Sequence, residues 1–311
     1  MKRTRHFARW PTFLVVVPSL LFQSPLQQSS PFTIHDNVNL VLLDVSVKDL
    51  RTGYVAGLEK ADFRVWEDGR PRPITQFGSV DAPVTVGLVV DNSGSMRSKR
   101  AEVVQAGLAF SRESNPRDEF FVINFNDSVV SSLPANVPFT DDLQILRHAP
   151  YYGNPNGQTA LYDAVSYALG HLESSHRELR TLIVVSDGGD NVSKIALSDL
   201  LNQIESSRAT IYAVGLLDPE NRDLRPAVLR KFAAISGGEY FQPRDLADVR
   251  PVFEQISKDI RNRYTIGFVP DEQQHRREIR TVKVVAQRDG KRFAVKTRTS
   301  FRIPASASGQ A

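Results

Sequence analysis

Between residues 84 and 245 the chain alternates short, unbroken apolar runs with longer stretches whose apolar positions recur every three or four residues. TVGLVV (85–90), EFFVINFN (119–126), TLIVVS (181–186) and ATIYAVGL (209–216) have strand length and are rich in β-branched residues. EYFQ (239–242) reads as one more short strand. Helical patterns fall near 98–114 and over 160–173, 197–207, 224–238 and 245–262. In the second of these, Leu161, Ala164, Val165, Ala168, Leu169 and Leu172 share one face at helical spacing. Ser198 is placed to cap the third. Continuous apolar strands alternating with amphipathic helices predict a doubly wound α/β domain over 84–262, a mainly parallel sheet with helices on both faces.

The flanks read as strands joined by turns. NVNLVLLDVSVKD (37–49), DFRVWEDG (62–69) and PITQFGSV (73–80) precede the domain, with EDGR as a turn. RYTIGFVP (263–270) and RTVKVVAQRDGKRFAVKTRT (280–299) follow it, the latter turning back at RDGK. Neither 31–83 nor 263–303 suffices for a core of its own, so the expectation is that both pair into one β-rich module. Phe63 and Trp66 are expected at core positions of a strand. The tail, 304–311, is expected to be disordered.

Charge changes the picture at one end only. The formal charge of +4 and pI near 9.3 would suit a nucleic-acid binder. Yet the first 30 residues hold Lys2, Arg3, Arg5 and Arg9 and no acid, and beyond them basic and acidic residues are equal at 35 each. KRTRHFAR, then WPTFLVVVPSLLF, then QSPLQQSS follows the order of a secretory signal. Residues 1–30 therefore predict a secreted or periplasmic, cell-envelope protein, with retention as an N-terminal membrane anchor as the alternative. The basic run HRREIR (275–280) lies beside Asp271 and Glu272 without interleaved aromatics, and is expected on an exposed loop. The chain has no cysteine, which excludes thiolate chemistry and zinc fingers.

The candidate chemistry sits at strand ends, where open parallel sheets bind ligands. Asp91, Ser93 and Ser95 follow the first α/β strand, Gly157-Gln158-Thr159 precede a helix, and Asp187 with two glycines follows TLIVVS. A loop leaving a strand can turn its first, third and fifth residues toward one point, with Gly94 easing the turn. Every candidate ligand is a hard oxygen, which suits Mg²⁺, Mn²⁺ or Ca²⁺. Two carboxylates and three hydroxyls leave positions for water or for an acidic group from another molecule. The bland alternative is an Asx-turn with Ser95 or Ser98 capping the next helix, and Thr159 as a further N-cap.

DNSGSM resembles the D-x-S-x-S signature of von Willebrand factor type A domains, and GQTALYDAV and VVSDGGDN resemble two further segments of that family. The likeness covers roughly residues 84–245, and DFRVWEDG and RYTIGFVPD resemble flanks of exported bacterial proteins of this kind. It implies a metal-ion-dependent adhesion site made of Asp91, Ser93, Ser95, Thr159 and Asp187, with Mg²⁺ (or Mn²⁺ or Ca²⁺) bound. It also implies a protein partner whose Asp or Glu completes the coordination. Ser186 stands where the family commonly has threonine.

Catalytic motifs are missing. A haloacid-dehalogenase-type phosphatase needs a second carboxylate where Ser93 stands. There is no G-x-S-x-G elbow, and GNPNGQT lacks the lysine of a phosphate loop. His148, His171 and His176 lie outside any motif, and His171 and His176, in or near a helical end, are expected to be solvated. The sequence thus predicts an exported, non-catalytic, divalent-metal-dependent protein-binding module, with no nucleic acid and no small-molecule substrate. The alternatives are an envelope assembly module acting through its β flanks and, more remotely, a metal-dependent hydrolase.

Overall fold

The computed structural model describes residues 40–79, 82–149, 155–216, 225–271 and 278–302. The expected signal at 1–30, residues 275–277 of the basic run and the expected disordered tail at 304–311 lie outside the described residues.

The described residues begin with five strands: β1 (Val41–Asp49), β2 (Gly53–Tyr54), β3 (Phe63–Glu67), β4 (Arg70–Arg72) and β5 (Ile74–Ser79). The α/β portion then runs β6 (Val84–Asp91), α1 (Arg100–Glu113), β7 (Glu119–Phe125), β8 (Val129–Ser131), α2 (Leu143–His148), α3 (Leu161–Glu173) and β9 (Leu179–Ser186). It continues with α4 (Leu197–Ser206), β10 (Thr210–Gly215), α5 (Pro226–Ser236), β11 (Tyr240–Phe241) and α6 (Val249–Arg261). Among the described residues α6 is followed by β12 (Arg263–Phe268), β13 (Ile279–Arg288), β14 (Lys291–Arg292) and β15 (Ala294–Lys296). A last one, β16 (Ser300–Arg302), returns to pair with β13.

Among the described residues the central sheet has six strands in the order β11-β10-β9-β6-β7-β8, all parallel except β8. β6 occupies an inner position and is buried along its whole length, which is why TVGLVV carries no polar alternation. Successive strand residues point to opposite faces, and two neighbours on β7 show what covers each. Phe120 meets Phe110 of α1 edge-on at 6.2 Å, whereas Phe121 lies 4.6 Å from the His171 ring of α3. Phe253 of α6 joins Phe110, and Phe232 of α5 meets Tyr162 of α3. One face therefore carries α1 and α6, the other α3 and α5.

The flanking strands form two antiparallel sheets, ordered β15-β1-β12-β5 and β14-β13-β3-β4, with β2 on β1 and β16 on β13. Both sheets combine strands from the two flanks: they alternate in the first, where β1 pairs with β12 and β15, and meet once in the second, where β3 pairs with β13. Leu43, Val45, Val47, Phe63, Val65, Tyr264, Ile266, Phe268 and Val284 build a second apolar core there.

The seam between the two cores is ionic. Asp259 of α6, 1% exposed in its side chain, accepts from Ser46 at 2.8 Å and from the Tyr212 hydroxyl, and lies 3.3 Å from Lys296 and 3.6 Å from Arg263. Burial alone would raise its carboxyl. The charges of Arg263 and Lys296 and the bonds from Tyr212 and Ser46 outweigh burial and hold it well below the usual carboxylate range.

Several expectations are corrected. Ser198 does not cap α4; the N-cap is Ala196, and the preceding turn is held by Asp163, which accepts from the amides of Lys194 and Ile195. Trp66 lies on the opposite face of β3 from Phe63, because the two are three residues apart on a strand. Arg280 does not decorate a loop: it alternates onto the inner face of β13, is 1% exposed, and donates to Glu67 at 2.5 Å. His171 is half-buried in an aromatic cluster with Phe121, Phe139 and Tyr167, its Nε2 2.8 Å from the Pro138 carbonyl. The run of residues 143–148 folds as a helix, and 129–131 as an edge strand, that local pattern did not reveal.

Candidate metal centre

Asp91 is the last residue of β6, and Asp187 directly follows β9. The two strands pair in parallel with Val90 opposite Val185, so both polar ends emerge side by side. Ser186 is thereby set next to Asp91, and its hydroxyl donates to Asp91 Oδ2 at 2.6 Å while accepting from the Gly188 amide at 3.0 Å. Sequence reasoning treated Ser186 only as a variant of the family threonine; the strand register is the signal that identifies it as the residue that orients Asp91.

The 91–95 turn folds back on itself. The Ser93 amide donates to Asp91 Oδ1 at 2.9 Å, the Asx-turn of the bland reading. Its capping half fails: the N-cap of α1 is Lys99, with no side-chain bond. Instead Ser95 donates to Asp187 Oδ2 at 2.7 Å and lies 3.2 Å from the Ser93 hydroxyl. Asp91, Ser93, Ser95 and Asp187 are thus joined by hydrogen bonds into one cluster, in which both carboxylates and Ser93 are buried.

Thr159 reaches this cluster through backbone. Asn156 donates to the Asn92 carbonyl at 3.1 Å, and Gly94 donates to that of Gly157 at 3.4 Å. Thr159 is buried, its amide donating to Asn191 Oδ1 at 2.9 Å and its carbonyl accepting from the Asn191 amide at 3.0 Å. Thr159 is not the N-cap of α3, which is Ala160; Asp190 accepts from the Tyr162 amide at 3.1 Å in the first turn. Asn191 went unremarked in the sequence, where only its place in the SDGGDN loop marks it.

Glycine is required at 157 and 188, at φ +78° and +85°, rather than at 94. A Cβ at Gly94 would meet the Gly157 carbonyl at 3.8 Å, an ordinary contact.

The electrostatics favour a cation. Burial pushes the Asp91 carboxyl up to about 6; hydrogen bonds from Ser186 and Ser93 oppose it, and the charge of Asp187 adds to it. Two buried carboxylates that repel each other are relieved by a positive ion between them. No group of three or more His, Cys, Asp or Glu side chains converges among the described residues, so a cation here would have to draw on hydroxyls as well. An all-oxygen set of this kind fits Mg²⁺, Mn²⁺ or Ca²⁺ and does not fit a soft metal.

Residues 86–189, which span Asp91 through Asp187, match the von Willebrand factor type A domain family. The chain contains a von Willebrand factor type A domain. Among solved structures, the von Willebrand factor type A protein from Catenulispora acidiphila is 15% identical over 86% of this chain and 74% of its own, with a TM-score of 0.52. That span exceeds the type A domain and takes in flanking strands; at such identity it speaks for the fold alone. The vWF domain of the type V pili tip protein Mfa5 from Porphyromonas gingivalis is 13% identical over 59% of this chain and 96% of its own, with a TM-score of 0.48. An aerotolerance-related membrane protein from Bacteroides fragilis is 16% identical over 57% and 98%, with a TM-score of 0.46. No curated protein matches the chain. Among the described residues no helix is long and apolar enough to cross a membrane.

Proposed function

We propose that the type A domain binds a protein partner through a divalent cation held by Asp91, Ser93, Ser95, Thr159 and Asp187. Type A domains commonly mediate protein–protein interaction. The observation that carries the metal reading is the Ser95–Asp187 bond, which joins two sequence blocks 92 residues apart around a pair of buried carboxylates. A cation bound there supplies charge to receive a carboxylate from the partner. The chain's own residues do the rest: Ser186 fixes the rotamer of Asp91, and the Ser93 amide turns the loop. The Asn191 side chain anchors the segment that carries Thr159.

The same reading takes residues 1–30 as an export signal. It takes 84–262 as the binding domain and 31–83 with 263–303 as its supporting β module. Mg²⁺ is the preferred ion in this reading, with Mn²⁺ and Ca²⁺ as substitutes. The absence of catalytic motifs and the interaction role of the domain support a non-catalytic protein.

The test is calorimetric titration of the metal-stripped chain with each of the three ions, beside Thr159→Ala and Asp187→Asn. Saturable binding to the native chain that both variants weaken supports the reading; binding untouched by either variant sinks it. A carboxylate-bearing partner captured with Mg²⁺ and released by a chelator would then identify the ligand. An interaction that survives both chelation and Asp187→Asn would move the contact to the β flanks.

A further inference from the structure

A pocket of about 710 Å³ opens where β9 and β10 begin, at the far end of the central sheet from Asp91 and Asp187. α3, α4 and β16 wall it. Arg180 sits near the start of the eight-residue β9, which places it about 20 Å along the strand from Asp187.

Three arginines and one glutamate, Glu173, line this pocket. Arg302 is already neutralised. It donates to Glu278 at 2.7 Å and to Asn202 at 3.0 Å, and lies 3.8 Å from Glu205. Arg180 and Arg208 are not. Arg180 Nε donates to the Arg177 carbonyl at 3.3 Å and Nη2 to the Ser175 carbonyl at 3.0 Å, which fixes its guanidinium plane without a hydrogen-bonded carboxylate. Arg208 makes no hydrogen bond or ion pair with the described residues. Burial, and then the charge of Arg208, pull Arg180 below its ordinary value, with Glu173 opposing.

Two guanidiniums lining one pocket, with no carboxylate hydrogen-bonded to either among the described residues, repel; folding alone does not favour the arrangement. An oxyanion relieves it, because planar guanidiniums match the oxygens of phosphate and sulfate. Ser166 donates to Gln203 Oε1 at 2.7 Å, which sets the side chain of a further amide donor on the same wall. We propose that this pocket binds an oxyanion of the phosphate or sulfate class between Arg180 and Arg208, with Gln203 as a third donor. The volume is that of an ordinary small-molecule site and leaves room for the group that carries the anion.

The test uses the full chain in EDTA, so that the type A metal site plays no part and the two readings fail separately. Inorganic phosphate, inorganic sulfate and glycerol phosphate are titrated against chloride at matched ionic strength, by calorimetry and thermal unfolding. Saturable binding of phosphate or sulfate, with none for chloride, is expected. Arg208→Gln, at an exposed position, should weaken it by about tenfold or more. Arg112→Gln, which removes an exposed cation on α1, should leave it unchanged. Tighter binding of glycerol phosphate would assign the anion to a larger molecule, and tighter binding of the inorganic ion to a free anion; both support the site. No saturable response overturns the proposal, as does an equal loss in the two variants, which would trace the effect to overall charge.

Discussion

Replacing Asp91 by Asn removes one charge from a side chain that is 1% exposed and stands beside a second buried carboxylate. In the unfolded chain this carboxyl titrates near 3.8, and in the metal-free fold burial raises it to about 6. Because the folded-state value is the higher one, ionisation weakens the fold. The penalty is absent below about pH 4, grows between 4 and 6, and is complete above 6, at about 3 kcal/mol. Asn keeps the shape but cannot accept both the Ser186 hydroxyl and the Ser93 amide, so about 1 kcal/mol of that gain is lost. Asp91→Asn should therefore stabilise the metal-stripped protein at pH 8 by about 2 kcal/mol, a rise of about 4–8 °C in midpoint. At pH 4 the rise should vanish. In saturating Mg²⁺ the order reverses, because only the wild type gains binding energy, about 2.7 kcal/mol at a hundredfold excess over Kd. Thermal unfolding at both pH values, in EDTA and in Mg²⁺, reads all four corners. A variant less stable than wild type in EDTA at pH 8 would refute the account of a charge-strained site.

Asp259→Asn should lower stability by about 3 kcal/mol at pH 7, since among the described residues it leaves Arg263 with only Asp44, at 3.5 Å, as a carboxylate partner. Its folded value is depressed, so the difference should persist at neutral pH and shrink as pH falls below about 4, read by urea unfolding. Gly87→Ala drives a methyl group into the Phe121 ring and to 2.7 Å from Leu182 in the middle of the sheet, and should cost about 1–3 kcal/mol without altering metal affinity per folded molecule. Gly157→Ala should do the opposite. At φ +78° and against the Asp127 carboxylate, it should displace the loop before Thr159, weakening Mg²⁺ binding in calorimetry for about 1 kcal/mol of global stability.

Local pattern was enough for most of the α/β elements, though not for β8 and α2. TVGLVV and TLIVVS could only be enclosed strands, and the face running from Leu161 to Leu172 could only be a packed helix. Order along the chain was also enough to set DNSGS, Thr159 and Asp187 apart as polar blocks at element ends. What one-dimensional pattern could not hold was everything fixed by pairing between distant strands. The register of β6 against β9 makes Ser186 the partner of Asp91, and no local feature of VVSDGG announces it. Arg280 and Asp259 look like surface charges until Glu67 and Lys296 arrive from far along the chain to neutralise them. A buried charge is tolerable only with its partner in place, and that partner is chosen by the tertiary fold. Propensity and periodicity act over a few residues and determine elements; charge pairing and strand register act through space.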